Sequence, residues 1–164
     1  LSTAAPLALP ARALAHRGQA AEASGWLNLE KTLYIGGHLE AMCEVVAEQQ
    51  DWNFARQVVS LARDETEAGG LVALPRFADR LEGRIAAADG NYGAAKELLQ
   101  RSALGFESLG APWEAAWSSY LLAEVLAKLG EPGVEAAAEF AADVFERLGS
   151  NRELNAASAL LARV

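Results

Sequence analysis

The stretch RSALGFESLGAPWEAAW runs from Arg101 to Trp117, and its centre returns further along the chain: FESLG at Phe106–Gly110 becomes FERLG at Phe145–Gly149. In each copy an aromatic residue and a leucine at helical spacing precede a glycine. The glycine supplies the left-handed C-cap that ends a helix without steric cost. The phenylalanine and leucine are expected to close the core between neighbouring helices. Two copies of one helix ending imply a serial repeat of a helical unit.

The other breaks keep the same period. Gly18, Asp51, Gly90 and Gly130 form one series, and Gly36-Gly37, Gly69-Gly70, Gly110 and Gly149 a second series between them. Their shared spacing falls within the roughly 20–50 residues that mark solenoids, and two interleaved series describe helix–turn–helix units stacked in order. The expected units are 8–35, 38–68, 72–109 and 112–148, followed by a helix over 151–163, all within one domain, 1–164. The helix ends carry local signals. Asn91 can cap the helix after the Asp-Gly pair, and Pro112 suits a first turn. Ser150–Glu153 reads as a capping box, and Val46, Phe54, Val58, Leu61 and Leu98, Leu99, Phe106, Leu109 follow the 3.6 period of buried helix faces.

Composition agrees with an all-α chain. It is 52% hydrophobic over 164 residues, much of that alanine, with five prolines. The net charge of −8 and the scatter of its 14 Lys and Arg leave no basic stripe for nucleic acid or for an anionic membrane. No apolar run approaches the roughly 20 residues of a membrane span, and the N-terminus lacks the basic region of a signal peptide. The first residue is not methionine, which suggests a fragment of something longer. A single cysteine, Cys43, excludes an internal disulfide and makes a reducing, cytoplasmic setting the default.

Comparison of the units places small residues at recurring positions: Cys43, Gly83 and Ala123; Ala55 and Ala95; Ala62 and Ser102. Small side chains recur where helix axes cross closely. Trp52 and Tyr92 recur just after a turn, as plugs. A small residue, then DWNFA (51–55) or GNYGAA (90–95), then a small residue on the second helix resembles the tetratricopeptide repeat. The resemblance covers Gly37 to Gly110 and extends to Gly149, where the second helix is one residue out of step. Most units are longer than the roughly 34 residues usual in that family. FESLGAPWEAAWSSYLLAEVLAKLGEPG (106–133) also resembles the helical-repeat C-terminal regions of large bacterial regulators, the ATP-binding LuxR-type activators and some class III nucleotide cyclases. The resemblance implies a right-handed α-α superhelix of about four hairpins plus a last helix.

It also implies a groove lined by the first helix of each unit and used to bind peptides. Its positions here are Glu40, Glu44 and Glu48; Phe77, Arg80 and Arg84; and Trp117, Tyr120, Glu124 and Lys128. Arg80 and Arg84 could hold a partner's carboxylate, and Trp117 with Tyr120 could seat an apolar anchor. Reversing both arginines should then leave the fold intact. Alternatively the glutamates are a solvated face, the arginines pair with them, and Trp117 is core. Trp113 is expected to pack on the preceding helix, and Trp26 to plug an end.

Nothing suggests catalysis. Cys43 falls at a buried crossing, His16 and His38 sit near turns and are expected to be exposed, and no His pair has metal-binding spacing. ADGNYGAA (88–95) lacks the lysine and preceding strand of a phosphate loop. The expected role is a non-enzymatic protein–protein interaction scaffold, without a cofactor, in a larger cytoplasmic regulator. Its partner is a protein, a peptide or another domain of the parent chain, with no nucleic-acid or membrane contact, and its terminal repeats can self-associate. The alternative is a sensor region binding a small ligand between repeats, in a cavity lined by Trp117, Tyr120 and Arg80. The last helix, with apolar residues at 154, 157, 160, 161 and 164, either covers the fourth unit or begins another.

Overall fold

A computed structural model describes residues 14–19, 35–68 and 71–163. Its helices are α1 (Ile35–Gln49), α2 (Trp52–Ala68), α3 (Leu74–Ala88), α4 (Tyr92–Ser108), α5 (Pro112–Leu129), α6 (Val134–Leu148) and α7 (Asn151–Leu161). The described residues hold helices and turns alone, with a further helical turn at 14–16. The expected helix over 20–35, Trp26 and the break at Gly69-Gly70 lie outside them. The break expected at Gly36-Gly37 does not occur: both glycines fall in the first turn of α1.

The chain is an all-α helical repeat in which long helices alternate with short turns, a pattern that forces neighbouring helices antiparallel. Local chemistry sets the ends. The Asn91 side chain accepts the Ala94 N–H at 3.3 Å, and Pro112 opens α5. Gly130 and Gly149 end α5 and α6 with φ of 66° and 69°, the left-handed geometry that costs glycine little. Between α1 and α2 a glutamine takes that role: Gln50 has φ 57°. The Asp51 carboxylate then accepts the Phe54 N–H at 3.0 Å.

The chain forms two compact units, 1–82 and 83–164, with the boundary inside α3. In the first, Leu39 of α1, Ala62 of α2, and Leu74 and Ala78 of α3 form one apolar cluster. Ala15 packs with Ala41 and Val45 in another. In the second, Leu99, Leu121, Leu126, Val144, Phe145 and Leu160 belong to a core contributed by α4 through α7. The last helix covers this unit through Ala157 and Leu160.

The small residues lie where helices approach. Cys43, Ala55, Ala62, Ala95, Ser102 and Ala123 are all at most 1% exposed. Gly83 shows why bulk is excluded: a Cβ there would stand 2.8 Å from Leu99 Cγ. Trp52 and Tyr92 are half-buried.

Three local expectations fail. Phe106 and Phe145 are buried, but the leucines of FESLG and FERLG, Leu109 and Leu148, are 41% and 51% exposed. Leu109 lies one residue past α4, and Leu148 is the last residue of α6. Phe54 and Leu61 are also exposed, on the outer side of α2, while Val58 between them is buried. Ser150 makes no cap hydrogen bond with its side chain. Its hydroxyl instead accepts the Trp113 indole N–H at 3.0 Å, and its backbone N–H donates to Phe145 O.

Candidate interaction faces

In the first unit, three of the five groove residues lie inside the protein. Glu44, Phe77 and Arg80 are 2%, 2% and 1% exposed. Arg80 donates Nε and Nη2 to Glu44 Oε1, at 3.0 and 2.6 Å. Its guanidinium also lies 5.0 Å from the Phe77 ring centroid, a cation–π distance. The carboxylate that Arg80 holds is therefore the chain's own. This corrects the expectation that charge reversal at Arg80 spares the fold, since a glutamate there would face Glu44 in a buried space. Glu40 and Glu48 are half-buried on α1.

The same unit carries further internal ion pairs. Arg63 of α2 reaches Asp79 at 2.6 Å and Glu82 at 2.8 Å, both on α3. Burial works against the charge on Arg63, but the two carboxylates outweigh it and the guanidinium is held above its ordinary range. His16 Nε2 stands 3.5 Å from Glu44 Oε2, and both histidines are half-buried rather than exposed. The Cys43 thiol is pushed well up, first by burial and then by the charge of Glu44. A thiol so held is inert as a nucleophile. Among the described residues no group of three or more His, Cys, Asp and Glu could hold a metal ion.

The second unit presents a different face. Trp113, Trp117 and Tyr120 stack along α5, with ring centroids 6.1 and 5.3 Å apart. Trp113 leans on Phe145 of α6, with ring centroids 6.1 Å apart. Tyr120 is mostly buried and donates to Glu124 Oε1 at 2.8 Å. Burial, then the Glu124 charge and this hydrogen bond, raise the phenol above its usual range, with Arg163 opposing. Trp117 remains half-buried, while Glu124 and Lys128 are exposed one and two turns beyond Tyr120. Arg84, in this unit, is half-buried.

Sequence reasoning missed a cleft on the other side of α5. It has a volume of about 370 Å³ and lies between α4 and α6, floored by Leu122 and Leu126 of α5. Leu104 and Phe140, 58% and 39% exposed, form its lips. Neither Trp117, Tyr120 nor Arg80 lines it. The available signal was a second apolar stripe: Ala137 and Phe140 lie beside the core stripe of Val134, Ala138, Ala141 and Phe145.

No family model matches the chain, and no curated protein matches it. Among solved structures it is similar to nearly identical TPR-like repeats ascribed to a kinesin light chain of Podospora anserina. That match covers 96% of this chain and 94% of the other, at 18% identity and a TM-score of 0.38. No helix among the described residues is long and apolar enough to cross a membrane.

Proposed function

We propose that the chain is a tetratricopeptide-like protein–protein interaction scaffold whose partner segment docks on the α5 face of the second unit. The observation that carries this reading is the Trp117–Tyr120 stack with exposed Glu124 and Lys128 alongside. The half-buried Trp117 ring, backed by the buried Tyr120 and set beside two opposite charges, suits an apolar contact with flanking polar ones. The stack is preorganised by the Tyr120–Glu124 hydrogen bond, so little side-chain freedom is lost on binding. A non-enzymatic role accords with the buried, inert Cys43. Membership of a larger cytoplasmic bacterial regulator of the LuxR type belongs to the same proposal and rests on the sequence phrase 106–133.

The test is site-specific photocrosslinking from position 128, followed by identification of the captured protein and measurement of its Kd. Trp117→Ala and Lys128→Glu should each weaken that complex about tenfold while circular dichroism stays that of the parent chain. Equal affinity for both variants would remove this face from the site.

A further inference from the structure

We propose that the cleft between α4 and α6 is a second docking site, which accepts a basic amphipathic helix from a protein partner. It is independent of the aromatic face. Residues 119, 122 and 126 line the cleft, whereas 117, 120, 124 and 128 form the aromatic face, about 180° away around α5 at about 100° per residue.

The shape argues for a helix. Two walls that each pack on α5 leave a trough between them, and Leu104, Phe140, Leu122 and Leu126 give it an apolar lining. From Gln100 to Glu107 the α4 wall covers two helical turns, about 10 Å, which matches anchors at i, i+3 and i+7 of an added helix. One end is tied by an ion pair between Lys96 of α4 and Glu131, two residues before the lining Gly133. That pair neutralises the cation nearest to this end.

The charge argues for a basic partner. Glu107 lies in the lining and is exposed. Glu97 on α4, and Glu135, Glu139 and Asp143 at one-turn intervals on α6, are also exposed along the outer sides of the two walls. Against these five carboxylates stand two cations, Arg101, one turn from Glu97 on α4, and Arg147, whose Nε donates to the Asp143 carbonyl at 3.3 Å, so the rim stays acidic by three charges (five less two). A helix with Lys or Arg flanking its apolar stripe is matched by this rim, and an acidic one is repelled. A second copy of the chain is the wrong occupant, because it brings a net charge of −8.

The probe is a dye-labelled synthetic helix of about 14 residues, ~21 Å long, with leucines at i, i+3, i+7 and i+10 and lysines flanking them. Its binding to the full chain is followed by fluorescence anisotropy. Two controls accompany it: the same peptide with glutamates for lysines, and a scrambled peptide of equal charge. The basic helix should bind at least tenfold tighter than either control, with an affinity that falls as salt rises. Leu104→Gln with Phe140→Gln changes only exposed side chains and should abolish this preference while the helical signal and Tm hold. Glu107→Lys with Glu139→Lys should transfer the preference to the acidic peptide. Glu67→Gln, exposed on α2 of the first unit, should leave this affinity unchanged. Equal binding of the three peptides, a preference untouched by the Leu104/Phe140 variant, or tighter binding of the acidic helix would each overturn the proposal.

Discussion

Positions 77, 80 and 84 of α3 correspond in the repeat to 117, 120 and 124 of α5, and the two sets do opposite things with one geometry. In the first unit Phe77 lies beneath a cation, Arg80, at 5.0 Å, and Arg80 is locked to Glu44. In the second, Trp117 stacks on a phenol, Tyr120, at 5.3 Å, and Tyr120 is tied to Glu124 on its own helix. The aromatic–neighbour contact is retained, but the polar partner differs. Arg80 reaches back to another helix, α1, and is sealed in. Tyr120 finds its partner one turn away on its own helix, and Trp117 beside it is half-buried. Both polar groups are internal, and the difference lies in the partner: Glu44 is buried with Arg80, whereas Glu124 stays exposed beside Tyr120.

The largest expected effect breaks the first half of that comparison. Arg80→Glu puts two carboxylates in a buried site and should cost at least about 3–5 kcal/mol, the range for orphaning one member of a buried pair. Urea unfolding checks it, and a midpoint equal to that of the parent chain would place Arg80 at the surface. Gly83→Leu comes next. The Cβ alone meets Leu99 Cγ at 2.8 Å, and overpacking should cost about 1–3 kcal/mol or more. Gly93→Ala, where nothing lies within 4 Å, should instead be neutral or stabilise by up to about 1 kcal/mol.

Smaller effects sharpen the second half. Ser150→Ala removes the acceptor of the Trp113 N–H and should cost about 0.5–1.5 kcal/mol, read from the shift in urea midpoint. Tyr120 gives a pH signature. Its phenol is raised in the folded chain, so the unfolded chain loses that proton first, near pH 10. The stabilising contribution is complete below that pH and is lost as pH rises toward the folded value. Stability should therefore fall more steeply above about pH 10 in the parent chain than in Tyr120→Phe. Identical slopes in denaturation at several alkaline pH values would contradict the burial assigned to this hydroxyl.

The difference between the two units also explains what could be read in advance. Helix ends were legible because their causes are local: Asn91 caps its own third residue, and Gly130 and Gly149 turn where a side chain would strain. The small crossings were legible because the repeat shows Ala55 with Ala95 and Ala62 with Ser102. Inner and outer faces of α2 were not, since Phe54, Val58 and Leu61 share one hydrophobic pattern and only Val58 is covered. Ser150 carries a capping signal, yet its hydroxyl is taken by the indole of Trp113, two helices back. Arg80 looks like any groove arginine until Glu44 is placed against it. The reading that paired arginines with the chain's own glutamates had the right chemistry for that residue, while Trp117 stayed only half-covered.

The most direct test is a double-mutant cycle on the buried pair, measured by urea unfolding of Glu44→Leu, Arg80→Leu and the double variant. The account predicts that each single substitution loses about 3–5 kcal/mol and that the double variant recovers most of it, because two apolar side chains can fill the space of a buried pair. Two small losses that simply add, each under about 1 kcal/mol as for an exposed ion pair, would contradict it and return Arg80 to the partner-facing surface.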